Sequence, residues 1–285
     1  MNLNEIASRS LGSSNSYAVY TTQYDPSLLN PMPRELARNE HSINFDEFDG
    51  VDVWHCWETS FLLSDGFPVS GVTKFAYSAK SPFMVESKSA KLFFNSFDMC
   101  TLGDTYGEAV AVFENVVSKH LSECVGVKVD VKFHPMSTIK RTLDIVSEDV
   151  GSKPCIVVDY DGLCNHLTDR TVASRFVSFD SLRSRCRHTK QKDTGVALIK
   201  TNQPNENIAR QIISFREVNE FHEFCCEKLA HQLSQFDDNV IVAFFYNRRG
   251  SLDINPIRWS VNEDLPVELL EYIDVNNLMI RGITQ

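Results

Sequence analysis

Basic residues are in short supply. Against 38 Asp and Glu, the 285-residue chain carries only 28 Lys and Arg, a formal net charge of -10. A general nucleic-acid binder needs a broad basic surface to neutralise phosphates, so that class of function is excluded as the main task. Long apolar runs are lacking too. The longest, 239-NVIVAFFY-246, is far too short to span a bilayer. The opening stretch MNLNEIASRSLGSSNSY has no apolar signal core. No C-x-x-C pair and no zinc-ribbon spacing occurs among Cys56, Cys100, Cys124, Cys155, Cys164, Cys186, Cys225 and Cys226, so a bound metal is not expected. Together these absences predict a cytoplasmic protein with reduced thiols. There is also no G-x-G-x-x-G and no P-loop, so any nucleotide is held by something other than a Rossmann turn.

What is present supports a globular chain. Apolar residues make up 42%, enough for a real core. Proline at 26, 31 and 33 forbids regular helix over 24-YDPSLLNPMPR-34. Residues 51–100 are predicted to be mostly strands, including the short aromatic run 90-AKLFFNSF-97. A helix capped by Asp104 or Thr105 follows, with Ala109, Val112, Phe113, Val116, Val117 and Leu121 on one face. Val127, Val129, Val131 and Phe133 alternate as a half-buried strand. The irregular stretch 146–173 is predicted to join two modules, 1–145 and 174–285. In the second, 174-SRFVSFDSLRSRC-186 and 195-GVALIK-200 are predicted to form a hairpin closed by the loop TKQKDTG. A helix over about 214–236 buries Phe221, Phe224, Cys225, Leu229, Leu233 and Phe236. A closing hairpin pairs 239-NVIVAFFY-246 with 251-SLDINPIRW-259. Each half runs strands, helix, strand, a weak internal repeat that suggests two similar α+β modules.

Chemistry concentrates at a few places. In 182-LRSRCRHTKQKDTG-195, Cys186 lies among Arg183, Arg185, Arg187, His188, Lys190 and Lys192, with Asp193 seven residues on. Cations favour a thiolate, and a nearby carboxylate can move protons for whatever the sulfur attacks. The alternative is a solvated basic loop around an inert thiol. In 219-NEFHEF-224, His222 and Glu223 can bind a polar heterocycle, the carboxylate accepting N–H donors and the imidazole moving protons. They can equally be an exposed polar pair. Glu86, Lys88 and Lys91 in 86-ESKSAKLF-93, and Arg249 with Gly250 in 248-RRGS-251, can hold phosphates or guard a strand edge and a hairpin tip.

The segments 24-YDPSLLNPMPR-34, 85-VESKSAKLFFNSF-97, the Cys186-to-Asp193 spacing, 214-SFREVNEFHE-223 and 248-RRGSLDINP-256 occur in this order. Together they resemble the long, two-module form of the QueF family, the NADPH-dependent 7-cyano-7-deazaguanine reductases of queuosine biosynthesis. The resemblance implies a tunnelling fold, in which ββαα modules assemble into a β-barrel with helices outside. It implies a homodimer and a free deazapurine nitrile as substrate, with no nucleic acid and no membrane. By position, Cys186 is the nucleophile that forms a covalent thioimide, Asp193 the general acid, and His222 a helper in proton transfer. Val85, Glu86, Ser87, His222 and Glu223 are expected to bind the base, which Phe221 either stacks on or leaves for the core. Ser87, Lys88, Lys91, Arg249 and Gly250 are expected to bind NADPH. Two hydrides then yield the primary amine 7-aminomethyl-7-deazaguanine.

The chain departs from the family pattern in three places. The family's Q-P-D-W is 191-QKDT-194 here, RRGG has become RRGS, and Cys186 is flanked by Arg185 and Arg187. Losing the proline and tryptophan loosens the loop, and Lys192 beside Asp193 is expected to lower that acid's pKa. Two rival readings follow: an amidine-forming relative that uses the same nitrile without NADPH, and a non-catalytic deazaguanine-binding module. Zinc-dependent pterin-forming relatives fit less well, because no Cys/His ligand set is evident.

Overall fold

The computed structural model describes residues 23–46, 48–136, 138, 141–142, 148–149, 175–187 and 189–280. Most of the predicted linker, and Cys155 and Cys164 within it, lie outside these residues. In chain order, a 3-10 turn (Pro26–Leu28) leads to β1 (Pro31–Pro33), α1 (Arg34–Glu40), β2 (Phe48–Leu62), β3 (Pro68–Ser78), β4 (Phe83–Val85), α2 (Ser87–Asn95), α3 (Tyr106–Val125) and β5 (Asp130–Pro135). Then come the short β6 (Arg141–Thr142) and β7 (Glu148–Asp149), followed by β8 (Arg175–Arg185), β9 (Lys192–Thr201), α4 (Asn205–Ser214) and α5 (His222–Ser234). The hairpin β10 (Ile241–Tyr246) and β11 (Leu252–Ser260) precedes α6 (Val267–Ile273) and β12 (Met279–Ile280).

Eight strands form one sheet in the order β5-β3-β2-β11-β10-β9-β8-β7, antiparallel throughout except at β7–β8. The class is α+β with a large antiparallel sheet. Among the described residues the sheet keeps two edges and does not close on itself. Alternation along the strands sends side chains to opposite faces. On β2, Trp54 and Cys56 join the aromatic core under α2 and α3, while Val51 and Val53 face the core capped by α6. On β10, Val242, Phe244 and Tyr246 pack under α4 and α5, and Ile241, Ala243 and Phe245 face the other way. Both faces of these strands are therefore covered, which is why β10 is apolar at every position.

Several elements form as the sequence predicts. Thr105 caps α3 in a reciprocal capping box with Glu108, and the helix ends at Gly126 in the left-handed region (φ 79°). Ala109, Phe113, Val117 and Leu121 are buried, but Val112 is exposed. Three expectations are corrected. The run 90–97 belongs to the end of a helix rather than a strand: Ala90, Phe93, Phe94 and Phe97 are buried at spacings of three and four, and Glu86 caps the helix by accepting from Ser89 N at 2.8 Å. A run that short has no visible period of its own. The helix expected over about 214–236 starts late: Phe215–Glu217 form a 3-10 turn, Val218 is extended and α5 begins only at His222, while α4 ends at Ser214, where that helix was expected to begin. Phe221 consequently precedes α5, and Phe236 lies beyond it, exposed at 71%. Finally, Asp193 is not in the hairpin loop but already within β9. No helix among the described residues is long and apolar enough to cross a membrane.

The N-terminal and C-terminal strands meet where β2 pairs with β11, from Leu252↔Cys56 to Ser260↔Phe48. A buried cluster of charge sits on this seam. Arg258 reaches Asp52 at 2.8 Å and Glu227 at 2.9 Å, Arg34 also pairs with Asp52, and Arg38 donates to both oxygens of Glu227 at 3.0 Å. These residues come from α1, β2, β11 and α5, so the cluster fixes two helices against the seam. Burial raises the Asp52 carboxyl, but Arg258 and Arg34 outweigh it and hold it below the usual range. Removing one partner strands the others in a dry interior. Arg258→Met is accordingly expected to lower stability in urea unfolding by about 3–5 kcal/mol, and a loss below about 1 kcal/mol would contradict a central role for the cluster.

Candidate active site

A cleft open to solvent lies between α2, the β8–β9 hairpin, the start of α5 and the β10–β11 turn. Ten of the eleven residues expected from the sequence line it: Val85, Glu86, Ser87, Lys88 and Lys91 from the N-terminal half, and Cys186, Asp193, His222, Glu223 and Arg249 from the C-terminal half. Gly250 is next to this lining. It adopts a left-handed φ of 67°, and a side chain there would begin 3.3 Å from Lys91 Nζ. Phe221 also lines the cleft, and it packs against Met32, Ala37, Met84 and Phe224.

Local folding aims these groups. The β8–β9 turn is closed by Cys186 N donating to Gln191 O at 2.8 Å and Lys190 N to Cys186 O at 3.0 Å, with Lys190 at φ 59°. Thr189 N–H approaches Cys186 Sγ at 3.5 Å. The flanking arginines face carboxylates: Arg185 pairs with Glu217 at 3.1 Å, and Arg187 with Glu220 at 2.8 Å and Glu40 at 2.7 Å. His188 lies outside the described residues. At the start of α5 the His222 ring stacks on Tyr246 with centroids 3.9 Å apart, and its Nε2 is 3.3 Å from Asp193 Oδ2. Asp193 Oδ1 accepts from Arg249 Nη1, while Arg249 Nη2 donates to Gln191. Thr194, in place of the family's tryptophan, accepts from Asn247 Nδ2 at 3.0 Å and so ties β9 to the end of β10.

The two carboxylates are pushed in opposite directions. Burial would raise Asp193, but the His222 hydrogen bond and the charges of His222 and Arg249 outweigh it and hold the carboxyl below the usual range. The lowering expected from Lys192 thus arises from His222 and Arg249 instead. Glu223 goes the other way: burial, reinforced by the charge of Asp52, pushes it up to about 7. At the mouth, Lys91 Nζ donates to Arg249 O at 2.7 Å, and burial together with Arg249 lowers its pKa. Lys88, Lys91 and Arg249 beside the first turn of α2 suit a phosphate-bearing ligand, because cations and the positive end of a helix dipole both attract anions. Among the described residues, no group of three or more His, Cys, Asp or Glu side chains is arranged to hold a metal ion.

Sequence reasoning missed Glu220. It lines the cleft and is buried, accepting from His41 Nε2 at 2.7 Å, Arg187 at 2.8 Å and Phe221 N at 2.9 Å. Burial raises its carboxyl, and His41 and Arg187 together bring it below the usual range. It fastens the Cys186 loop to α5 and to the end of α1. Its side-chain partners His41 and Arg187 lie far off in the chain, so only its proximity to His222 and Glu223 marked it.

The family model described as nitrile reductase, 7-cyano-7-deazaguanine-reductase N-term, matches residues 20–133. Relatives from Legionella pneumophila strains Corby and Paris, each named NADPH-dependent 7-cyano-7-deazaguanine reductase, are 36% identical over 259 residues, covering 85% of this chain and 87% of theirs. The protein of the same name from strain Lens is 36% identical over 257 residues, covering 84% and 86%.

Glu223 generates a pH prediction. Its folded pKa of about 7 lies above the ordinary 4.5, so the native state binds more protons than the unfolded one between those values. Its contribution to stability is full below the unfolded pKa and is lost as pH rises through the folded one. Glu223→Gln cannot ionise. Its urea midpoint relative to the native protein is expected to improve steadily from about pH 5 to about pH 8; a constant difference across that range would contradict the assignment.

Proposed function

This chain belongs to the QueF family of 7-cyano-7-deazaguanine nitrile reductases, and on that premise we propose that it reduces the nitrile of 7-cyano-7-deazaguanine to the primary amine in queuosine biosynthesis, with NADPH as reductant. The observation that carries this is the convergence in one cleft of Cys186, Asp193, His222 and Glu223 with Val85, Glu86, Ser87, Lys88 and Lys91. The substrate is a free base, in keeping with the net charge of -10.

In this reading Cys186 Sγ adds to the nitrile carbon. The S–C bond forms as one C–N π pair moves onto nitrogen, giving a thioimide. Asp193, held as a carboxylate by Arg249 and His222, suits a first task as base: it takes the thiol proton, then delivers it as acid to the nitrile nitrogen. Bound NADPH supplies hydride to the carbon, two equivalents per nitrile. Each reduction step also needs a proton, and His222, stacked on Tyr246 and in reach of Asp193, can resupply one. The C–S bond breaks between the two reductions and returns the thiol. Glu86 and Glu223 hold the N–H edge of the base. Glu86 also accepts from Ser89 N, so its position is set by the helix it caps. Lys88, Lys91, Arg249 and the backbone at Ser87 and Gly250 hold the cofactor's phosphates.

The finer description of the fold belongs to the same proposal. Two ββαα modules, 1–145 and 174–285 joined by 146–173, form a tunnelling fold whose open sheet completes a barrel in a cytoplasmic homodimer. Sedimentation equilibrium is expected to give the mass of two chains; a monomer at every concentration would remove that part.

The direct test adds 7-cyano-7-deazaguanine to the full chain with NADPH and follows absorbance and intact mass together. Two NADPH are expected to be consumed per nitrile, with none consumed by Cys186→Ala. A covalent adduct on the native protein with no loss of NADPH would instead favour an amidine-forming or binding-only protein.

A further inference from the structure

Arg249 is placed to serve two anions in turn. Its backbone is pinned, since Arg249 N donates to Leu252 O at 2.9 Å and its carbonyl accepts Lys91 Nζ at 2.7 Å. Its side chain is about a third exposed (35%), whereas the Asp193 side chain that it contacts is only 4% exposed. One guanidinium nitrogen meets Asp193 and another meets Gln191 across the cleft. Lys91 lies beside Arg249, and the two cations repel each other enough to contribute to the lowered pKa of Lys91. Arg249 therefore stands between a buried carboxylate and a crowded cationic mouth.

We propose that Arg249 is shared between Asp193 and the phosphates of the nicotinamide cofactor, so that cofactor binding draws the guanidinium off Asp193 and frees that carboxylate to take up a proton. The proposal rests on the reductase reading above. It assigns Arg249 a role in timing as well as in cofactor affinity: the acid is charged when the reductant arrives.

The surroundings of Asp193 support this coupling. Two side chains face it, Arg249 from the β10–β11 turn and His222 from α5. Tyr246 on β10 and Cys225 on α5 are close enough for its charge to raise their own pKa values, and both are buried and neutral. Lys192, its neighbour on β9, is exposed. With Arg249 withdrawn, His222 alone opposes burial, and burial favours the protonated acid. Linkage then runs both ways: if the cofactor raises proton affinity at Asp193, rising pH weakens cofactor binding, by at most about tenfold per pH unit for one proton.

Calorimetry of NADP+ binding to the full chain, in buffers of different ionisation enthalpy, measures the protons taken up without any turnover. The native protein is expected to take up protons that Asp193→Asn does not, and Asp193→Asn is expected to bind NADP+ severalfold tighter because Arg249 has been released. Arg249→Gln is expected to bind more weakly and to lose the same proton uptake. A merely structural contact between Arg249 and Asp193 predicts no gain in affinity from Asp193→Asn. If NADP+ binds with equal proton uptake and no tighter affinity in Asp193→Asn, the shared-arginine proposal is wrong while the reductase reading stands. If the native protein does not bind NADP+ at all, both fall.

Discussion

The pairing of β2 with β11 is the constraint on which the rest of the molecule depends. Nine residue pairs run along this seam, and they convert strands from opposite halves of the chain into one sheet. Backbone hydrogen bonds set the register, and the buried cluster of Arg34, Arg38, Asp52, Glu227 and Arg258 adds direction to an interface that apolar packing alone would leave free to slide. Each arginine there has a carboxylate partner on a different element, so one arrangement satisfies them and displaced ones do not. The cleft is a consequence. Its N-terminal wall hangs from α2 beside β2, and its C-terminal wall from α5 and the two hairpins beside β11.

Within the cleft, environment separates groups that are chemically alike. Asp193 and Glu223 are both carboxylates on or near one helix start, yet one is held charged and the other is driven towards neutrality. The difference lies in what faces them. Asp193 meets Arg249 and His222. Glu223 is buried and feels the charge of Asp52, while Arg34 and Arg258 are shared between Asp52 and Glu227. The charge cluster that holds the seam thus also tunes a group in the cleft. Pairs of acids pushed apart in this way can divide proton transfer and recognition between them at one pH.

The departures from the family pattern are absorbed locally. Thr194 replaces a large aromatic surface with a polar tie to Asn247, and Lys192 points to solvent from β9 rather than acting on Asp193. Arg187 extends the change further, since it joins the Cys186 loop to Glu220 and Glu40. A loop that has lost proline and tryptophan is held instead by charge and hydrogen bonds, contacts that salt and pH can reach more readily than a packed ring.

Much of this was legible from the residues alone. Spacing marked α3 and its cap, the β8–β9 and β10–β11 hairpins, and the segments whose side chains meet in the cleft, because helix and strand periods and turn chemistry are local properties. The run 90–97 was misjudged because eight residues of mixed aromatics carry too little periodicity to choose helix over strand; burial under α3 and the cap at Glu86 decided it. Glu220, His41 and the Arg249–Asp193 contact were beyond reach for a different reason. They join residues tens to hundreds of positions apart, and charge complementarity between distant side chains leaves no pattern in the order of the chain. The sequence by itself determined which chemical groups this protein has and which local elements carry them. Only the tertiary structure decided which acid is charged, which cation holds it and which wall of the cleft each group faces, because those properties depend on burial and on neighbours that folding alone brings together.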